Sequence, residues 1–181
     1  MSLSPTQQRV NRNTAEHATD NVIDVFVDRT GYRRGIGEAM TEDEFVTIFD
    51  ALNKIRDITG IEYRVVGTEQ ESELGIFKID EAEYWGMPDG TAGFVNGRDD
   101  GSNKLYIEHL HDPDYMKHVV FHEVGHIFGL PELWNPWAYT SEQTVMGYSH
   151  AGFHGFTDAD QLRLANHWSD NPVQLADYWL S

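Results

Sequence analysis

A helix is most clearly encoded in residues 112–129, DPDYMKHVVFHEVGHIFG. The segment opens with an aspartate, a favoured helix N-cap, and Pro113 suits the first helical position. Gly129 is a natural end, because glycine readily adopts the left-handed conformation that follows many helices. Within these limits His122 and His126 are four residues apart and therefore share one helical face. The segment predicts a helix that presents two imidazoles side by side.

The residues on this helix point to a metal ion. Two histidines at positions i and i+4 can bind one ion together. Glu123 lies where a carboxylate contacts water on such an ion without binding the ion itself. The chain has no cysteine, so His, Asp, Glu or Tyr must hold any metal. The alternative is a solvated helix face in a chain that has nine histidines.

The remainder of the chain predicts strands and further helices around this segment. Thr41–Glu44 resembles a capping box that opens a helix ended by Gly60, and Thr157 opens a last helix that reaches Trp168. Runs typical of strands are Val22–Thr30, Ile61–Thr68, Leu74–Ile79 and Lys104–Leu110, with a glycine-rich edge strand at Gly90–Asn96. This order predicts an α+β fold, in which a mixed, twisted sheet packs against helices.

Length and charge limit the number of domains and the kinds of partner. The chain has 181 residues without a repeat or a linker, which predicts one domain over residues 1–181. Residues 1–20 are polar and aperiodic, so we expect a loosely held N-terminal arm there. A net charge of −17 disfavours nucleic acid and anionic lipid as partners. There is also no run of 18 apolar residues that could span a membrane.

Two further features make the histidine pattern specific. Gly129 falls seven residues after His122, and Thr144–Tyr148 (TVMGY) places a methionine two residues before a tyrosine. HExxHxxGxx with a downstream Met-x-Tyr resembles the metzincin clan of zinc endopeptidases, and is most similar to the serralysin and astacin branches. The resemblance implies a metzincin-like fold with an active-site helix, a Met-turn and a C-terminal helix. It also implies a Zn²⁺ cofactor, a peptide or protein substrate and secretion, although residues 1–8 lack the apolar core of a signal peptide.

The resemblance assigns roles to individual residues. His122 and His126 would bind zinc, and Glu123 would take a proton from water and deliver it to the leaving amine. Met146 would lie beneath the metal as the apolar residue of the Met-turn, and an ordinary core methionine is its alternative. Tyr148 would stabilise the oxyanion, and a buried tyrosine with a hydrogen-bonded hydroxyl is its alternative.

The third metal ligand departs from the family pattern. That pattern has His, or in some branches Asp, ten residues after the first His, and this chain has Glu132 there. A carboxylate is acceptable, because His₂Glu is an established catalytic zinc set. His150 and His154, just after the Met-turn, are the alternative ligands, and the absence of a third protein ligand is the other possibility. His118, one turn before the first His, is expected to be solvated or to act as an outer partner.

The sequence predicts a monomeric zinc metalloendopeptidase that hydrolyses internal peptide bonds, and several alternatives stay open. The same fold could be a catalytically inactive or latent zinc-binding domain. The presence of Glu132 where the family pattern has His or Asp favours this alternative. A gluzincin would take its glutamate from a later helix, but Glu142 lies in a Trp- and Pro-rich loop. A metal-free structural domain is the last alternative.

Residues Asp99–Asn103 are rich in the oxygen ligands that Ca²⁺ prefers, so they predict a calcium site. A polar turn without a metal ion is the alternative for this segment.

Overall fold

The computed structural model of the chain describes residues 3–31, 37–80, 86–149 and 151–169. Within them, five strands form one mixed sheet that is accompanied by four α-helices. The predicted α+β class is therefore confirmed. None of the helices in these ranges has the length and apolar character needed to cross a membrane. The helices are α1 (Pro5–His17), α2 (Glu42–Thr59), α3 (Pro113–Ile127) and α4 (Asp158–Trp168), and the strands are β1 (Val22–Val27), β2 (Glu62–Val65), β3 (Leu74–Ile79), β4 (Gly93–Gly97) and β5 (Asn103–Glu108).

The sheet has the strand order β2-β1-β3-β5-β4. Strands β1, β2, β3 and β5 run parallel, and Ile76 of β3 pairs with Leu105 of β5. Strand β4 is antiparallel to β5, and its Val95 pairs with the same leucine. Because β4 lies at the edge of the sheet, one side of its backbone is not paired with another strand of the described chain. The glycine-rich edge strand predicted over residues 90–96 is thus confirmed, with bounds at Gly93–Gly97.

The main hydrophobic core lies between one face of the sheet and the helices. Leu74 and Ile76 of β3 belong to the same buried apolar cluster as Leu52 of α2 and Val120 of α3. The opposite face of the sheet carries a smaller buried cluster formed by Phe77, Ile79 and Tyr106. Strand β3 is therefore buried on both faces, as central parallel strands usually are. This packing fixes β5 and β4 beside α3.

Local capping explains where two of the helices begin. The Thr41 side chain accepts a hydrogen bond from the Glu44 amide, and the Glu44 carboxylate accepts one from the Thr41 amide at 2.7 Å. Gly60 ends α2 in a left-handed conformation with φ of 76°. Thr157 and Asp160 form the same reciprocal box at the start of α4. The helix starts predicted from these sequence signals are confirmed.

The expectation of a loosely held N-terminal arm is wrong for the described residues. Ser4 caps and Pro5 opens α1, and both are favoured at a helix start. The side chain of Asn13 is buried and donates hydrogen bonds to the carbonyls of Arg98 and Ser102. Val10 is the single buried apolar residue of α1. The helix therefore lacks the apolar stripe from which helices are predicted, and its sequence pattern does not reveal it.

Candidate metal centre

Helix α3 and the chain that follows it bring three potential ligands together. Ligand atoms of His122, His126 and Glu132 all lie within 4.8 Å of one another. Glu132 Oε2 is 3.3 Å from His126 Nε2 and 3.9 Å from His122 Nε2. Zinc bonds of about 2.0–2.1 Å in a tetrahedral site place ligand atoms about 3.4 Å apart. The separations and the donor types therefore allow these three residues to hold a metal ion together.

A glycine turn returns the chain to the histidines after α3. Gly129 has φ of 108°, a conformation that strains any residue with a β-carbon. A β-carbon at this position would also lie 2.6 Å from Cδ2 of His167. The next amide, of Leu130, donates to the Gly125 carbonyl at 2.8 Å and closes the turn. Glu132 follows two residues later, on the side of the histidines.

Backbone carbonyls orient both imidazoles. His122 Nδ1 lies 3.0 Å from the Val145 carbonyl oxygen, and His126 Nδ1 lies 2.9 Å from that of Leu130. A carbonyl oxygen only accepts, so each Nδ1 carries a proton and each Nε2 is the nitrogen left to face a metal. This is the tautomer in which Nε2 binds a metal. The sequence does not predict these two partners, because every residue has a backbone carbonyl and the residue types at positions 145 and 130 give no signal.

The protonation of the ligands is set by burial and by their mutual contacts. Burial, together with the charge of His126, lowers the pKa of His122 to about 3, so its imidazole is neutral. Burial also acts to lower the pKa of His126, but the hydrogen bond that its ring donates to Glu132 and the charges of Glu123 and Glu132 together outweigh burial, so the pKa is raised. Burial acts to raise the pKa of Glu132, yet its contacts with the two histidines lower it. Metal binding at the His126–Glu132 pair would therefore release a proton.

Glu123 is buried beside the ligands and packs against the edge strand. Burial raises its pKa to about 7, with an opposing effect from His126 and a supporting one from Glu132. A carboxyl group with a pKa near neutrality can both accept and return a proton. A β-carbon at Gly93 of β4 would lie 3.0 Å from Glu123 Cγ. The missing side chain at position 93 therefore lets the edge strand approach Glu123 closely.

The segment around Met146 lies beneath α3. Met146 is fully buried, and a β-carbon added at Gly125 would lie 3.5 Å from its sulfur atom. The following residue, Gly147, admits no side chain, because a β-carbon there would lie 2.6 Å from the Tyr139 carbonyl oxygen. The solvated alternative for His118 is wrong, since its ring is buried and its Nε2 lies 3.1 Å from the Gly147 carbonyl oxygen.

Tyr148 stands at the mouth of the site. Its side chain is 41% exposed, and its ring centroid lies 5.7 Å from that of His122 and 5.3 Å from that of Trp137. Its hydroxyl group faces the Glu132 carboxylate and contributes to lowering the pKa of that group. Burial and the charges of Glu132 and Glu123 raise the pKa of Tyr148. The phenol therefore stays protonated and can donate a hydrogen bond.

Two cavities meet at the candidate metal centre. One, of about 330 Å³, lies beside Tyr115 and Trp137, and the other, of about 1380 Å³, extends between β4 and the chain after α3. Both are lined by His122, Glu123 and Tyr148. Together they form a cleft that follows the edge strand and passes over the three ligand residues.

Helix α1 supports the end of α3. The Gln7 side chain donates a hydrogen bond to the His126 carbonyl at 2.7 Å, and the Thr14 hydroxyl donates one to the Ile127 carbonyl at 2.9 Å. Carbonyls in the last turn of a helix lack partners within the helix. Helix α1 therefore caps the helix that carries the histidines, and its N-cap Ser4 and its residue Gln7 also line the larger cavity.

The alternative histidine ligands have different outcomes. His154 is outside the ligand group found among the described residues, which contains Glu132 as its third member. His154 Nε2 instead lies 3.2 Å from the Ala151 carbonyl oxygen and 4.0 Å from a carboxylate oxygen of Glu142. His150 lies outside the described residues, so its prediction stays untested.

The loop over residues 99–103 is a polar turn in the structure. The Asp99 carboxylate pairs with Arg9 at 3.0 Å. Asp100 accepts hydrogen bonds from the amide and the hydroxyl of Ser102, at 3.0 and 2.7 Å, and these bonds lower its pKa. These contacts account for both carboxylates, and the predicted Ca²⁺ site stays untested.

The chain matches none of the protein-family models against which it was scanned. A search of curated proteins likewise finds no significant match. The interpretation of the metal centre therefore depends on the sequence motif and on the geometry described above.

Proposed function

We propose that the chain is a zinc-dependent endopeptidase of the metzincin type. The observation that carries this proposal is the convergence of His122, His126 and Glu132 within 4.8 Å beside buried Glu123, in a cleft. Catalytic zinc sites have three protein ligands and an open position, whereas structural sites have four protein ligands. When bound, zinc supplies a Lewis acid that polarises the scissile carbonyl and lowers the pKa of water.

Glu123 is the residue that moves the proton. Its carboxylate accepts a proton from the attacking water and returns it to the leaving amine. The contact between Glu123 and Gly93 supports this role, because it keeps the carboxylate next to the strand along which substrate would lie.

Tyr148 stabilises the charge that develops on the substrate carbonyl. A protonated phenol at the mouth of the site can donate a hydrogen bond to an oxyanion. Because its hydroxyl faces Glu132 in the structure, the ring would turn from Glu132 toward the substrate to donate this hydrogen bond. The exposed position of the ring beside Trp137 supports such a movement, since solvent rather than packed core borders it.

The substrate is an extended peptide that pairs with β4. An edge strand offers unpaired backbone groups to an added strand, and glycine at position 93 allows close approach. The cleft continues on both sides of the ligand residues through its two cavities. A chain can therefore pass over the site in both directions, which favours cleavage of internal bonds.

The test measures zinc content and cleavage of a mixed peptide library by the full chain, with and without a chelator. We expect one zinc per chain and internal cleavage that the chelator abolishes. Glu123→Gln should keep zinc and lose about 10²–10⁴-fold in turnover. Glu142→Gln is the matched control, because Glu142 is an exposed carboxylate outside the ligand group, and it should leave turnover unchanged. Wild-type turnover by the Glu123 variant would refute the mechanism.

A latent zinc-binding domain is the second candidate. The observation that favours it is Glu132, which stands where the resembled family has a neutral histidine and makes the site less positive. One zinc per chain without peptide cleavage would support this candidate. Glu132→His then tests whether a third neutral ligand restores turnover.

A further inference from the structure

Asp160, on the first turn of α4, contacts the chain just before Met146. Its side chain is 0% exposed. Oδ1 accepts a hydrogen bond from the Thr144 hydroxyl at 2.6 Å, and Oδ2 accepts one from the Val145 amide at 2.8 Å. The Thr144 hydroxyl in turn accepts a hydrogen bond from the Met146 amide at 3.2 Å. One buried carboxylate therefore fixes three consecutive residues of a loop.

The same loop orients the first histidine. Val145 donates its amide hydrogen to Asp160 and accepts the Nδ1 proton of His122 with its carbonyl oxygen, at 3.0 Å. The amide and the carbonyl group belong to the same residue, so a shift of the Val145 backbone changes both hydrogen bonds. Asp160 is thus connected to the imidazole of His122 through a single backbone residue.

We propose that Asp160 is a positioning residue that holds the His122 imidazole in its metal-binding tautomer. The carboxylate fixes Val145, whose carbonyl retains the proton on Nδ1 and leaves the lone pair on Nε2. This inference rests on the zinc site of the proposed function and is independent of peptide hydrolysis. Asp160 touches neither ligand nor substrate, so its role is to position His122 through Val145.

Capping of α4 does not account for these contacts. The capping box uses the Thr157 amide, which donates to Asp160 Oδ2 at 3.1 Å. The box at Thr68 and Glu71 shows that such a pair forms with an exposed carboxylate. Asp160 makes the box and, in addition, the hydrogen bonds to Thr144 and Val145. The fully buried carboxylate therefore makes contacts that a helix cap alone does not require.

Three variants of the full chain separate positioning from capping. Asp160→Asn replaces an acceptor oxygen with an amide group that cannot accept hydrogen bonds. Thr144→Val is nearly isosteric and removes only the hydroxyl between Asp160 and Met146. Thr157→Ala is the comparison variant, because it removes a hydroxyl that accepts from the Asp160 amide and lies 2.9 Å from Asp160 Oδ2 and 3.1 Å from the Gln143 carbonyl oxygen. It leaves the two hydrogen bonds that Asp160 accepts from Thr144 and Val145. Zinc affinity is measured by competition with a chelator, and the His122 tautomer by ¹H–¹⁵N spectra of metal-free protein.

We expect Asp160→Asn to weaken zinc binding about 10–100-fold, which is typical for loss of an outer partner of a ligand. Thr144→Val should weaken it in the same direction, and both should reduce the fraction of His122 protonated on Nδ1. Thr157→Ala should lower the melting temperature and change neither quantity. If Asp160→Asn does not fold, Thr144→Val decides the question.

Two results would overturn the inference. One is an equal loss of zinc affinity in all three variants, which would reduce Asp160 to a helix cap. The other is an unchanged tautomer and affinity in Thr144→Val. If the wild-type chain binds zinc without cleaving peptides, the peptidase proposal fails while the role of Asp160 is still measured. If it binds no zinc, the tautomer in metal-free protein still tests the connection through Val145.

Discussion

Replacement of Gly93 by alanine tests the contact between the edge strand and Glu123. The new β-carbon would lie 2.9 Å from Val119 Cγ1, 3.0 Å from Glu123 Cγ and 3.3 Å from the Tyr106 carbonyl oxygen. Carbon atoms pack best at about 3.5–4.0 Å, so strand and helix must separate by about 0.5–1 Å. A displacement of about 1 Å at a catalytic group costs up to about 100-fold in rate. We therefore expect kcat/KM for a library-derived peptide to fall about 10–100-fold.

Zinc binding should survive the same substitution, because the carbonyls of Val145 and Leu130 that orient the histidines do not contact Gly93. Overpacking should lower the free energy of unfolding by about 1–3 kcal/mol. Gly67→Ala is the control, since its nearest neighbour would be Glu71 Oε2 at 3.9 Å. The reasoning is refuted if Gly93→Ala keeps wild-type kcat/KM, or if Gly67→Ala loses as much.

Three further predictions concern the ligand, the N-terminal helix and acid stability. Glu132→Ala should weaken zinc binding by more than the roughly 10–100-fold that loss of an outer partner costs, as measured by chelator competition; an unchanged affinity would remove Glu132 from the ligand set. Thr14→Val leaves the Asn103 amide and the Ile127 carbonyl without this hydroxyl, so urea unfolding should show a loss of about 1–3 kcal/mol; no loss would mean that α1 does not support α3. Burial lowers the pKa of His167 in the folded chain, so its contribution to stability is complete above the unfolded pKa of about 6.5 and is lost as pH falls toward the folded value. His167→Gln should therefore lose less unfolding free energy than wild type between about pH 7 and pH 5, and equal losses would contradict this sign.

The parts of the fold that the sequence predicts are those with local causes. The capping box at Thr41 involves residues three apart, and the end of α2 needs only a glycine at position 60. The order of the strands has no such local cause, because pairing of β3 with β5 joins residues that are far apart in the chain. Helix α1 combines both cases. Its cap residues Ser4 and Pro5 are a local signal in the sequence. Its packing against the rest of the chain depends on polar contacts between distant residues, such as that of Asn13 with Arg98.

The candidate site divides in the same way. His122, His126 and Glu132 lie within eleven residues, and helical spacing with a glycine turn is enough to bring them together. The groups that orient them have no signature in sequence, since Val145 acts through its backbone and is 23 residues from His122. Asp160 looks in the sequence like an ordinary capping residue. Only the fold places its second oxygen against Thr144.

The position of α1 has a consequence for synthesis of the chain. Gln7 contacts the His126 carbonyl across 119 residues. At about 5–20 residues per second, the residues of α1 are therefore synthesised about 6–24 s before the surface that they bind. Helices that wait with apolar faces exposed are prone to aggregate. Helix α1 has one buried apolar residue, Val10, and otherwise buries Asn13 and Thr14. A segment with such a largely polar interface exposes little apolar surface in the nascent chain before the last turn of α3 is complete.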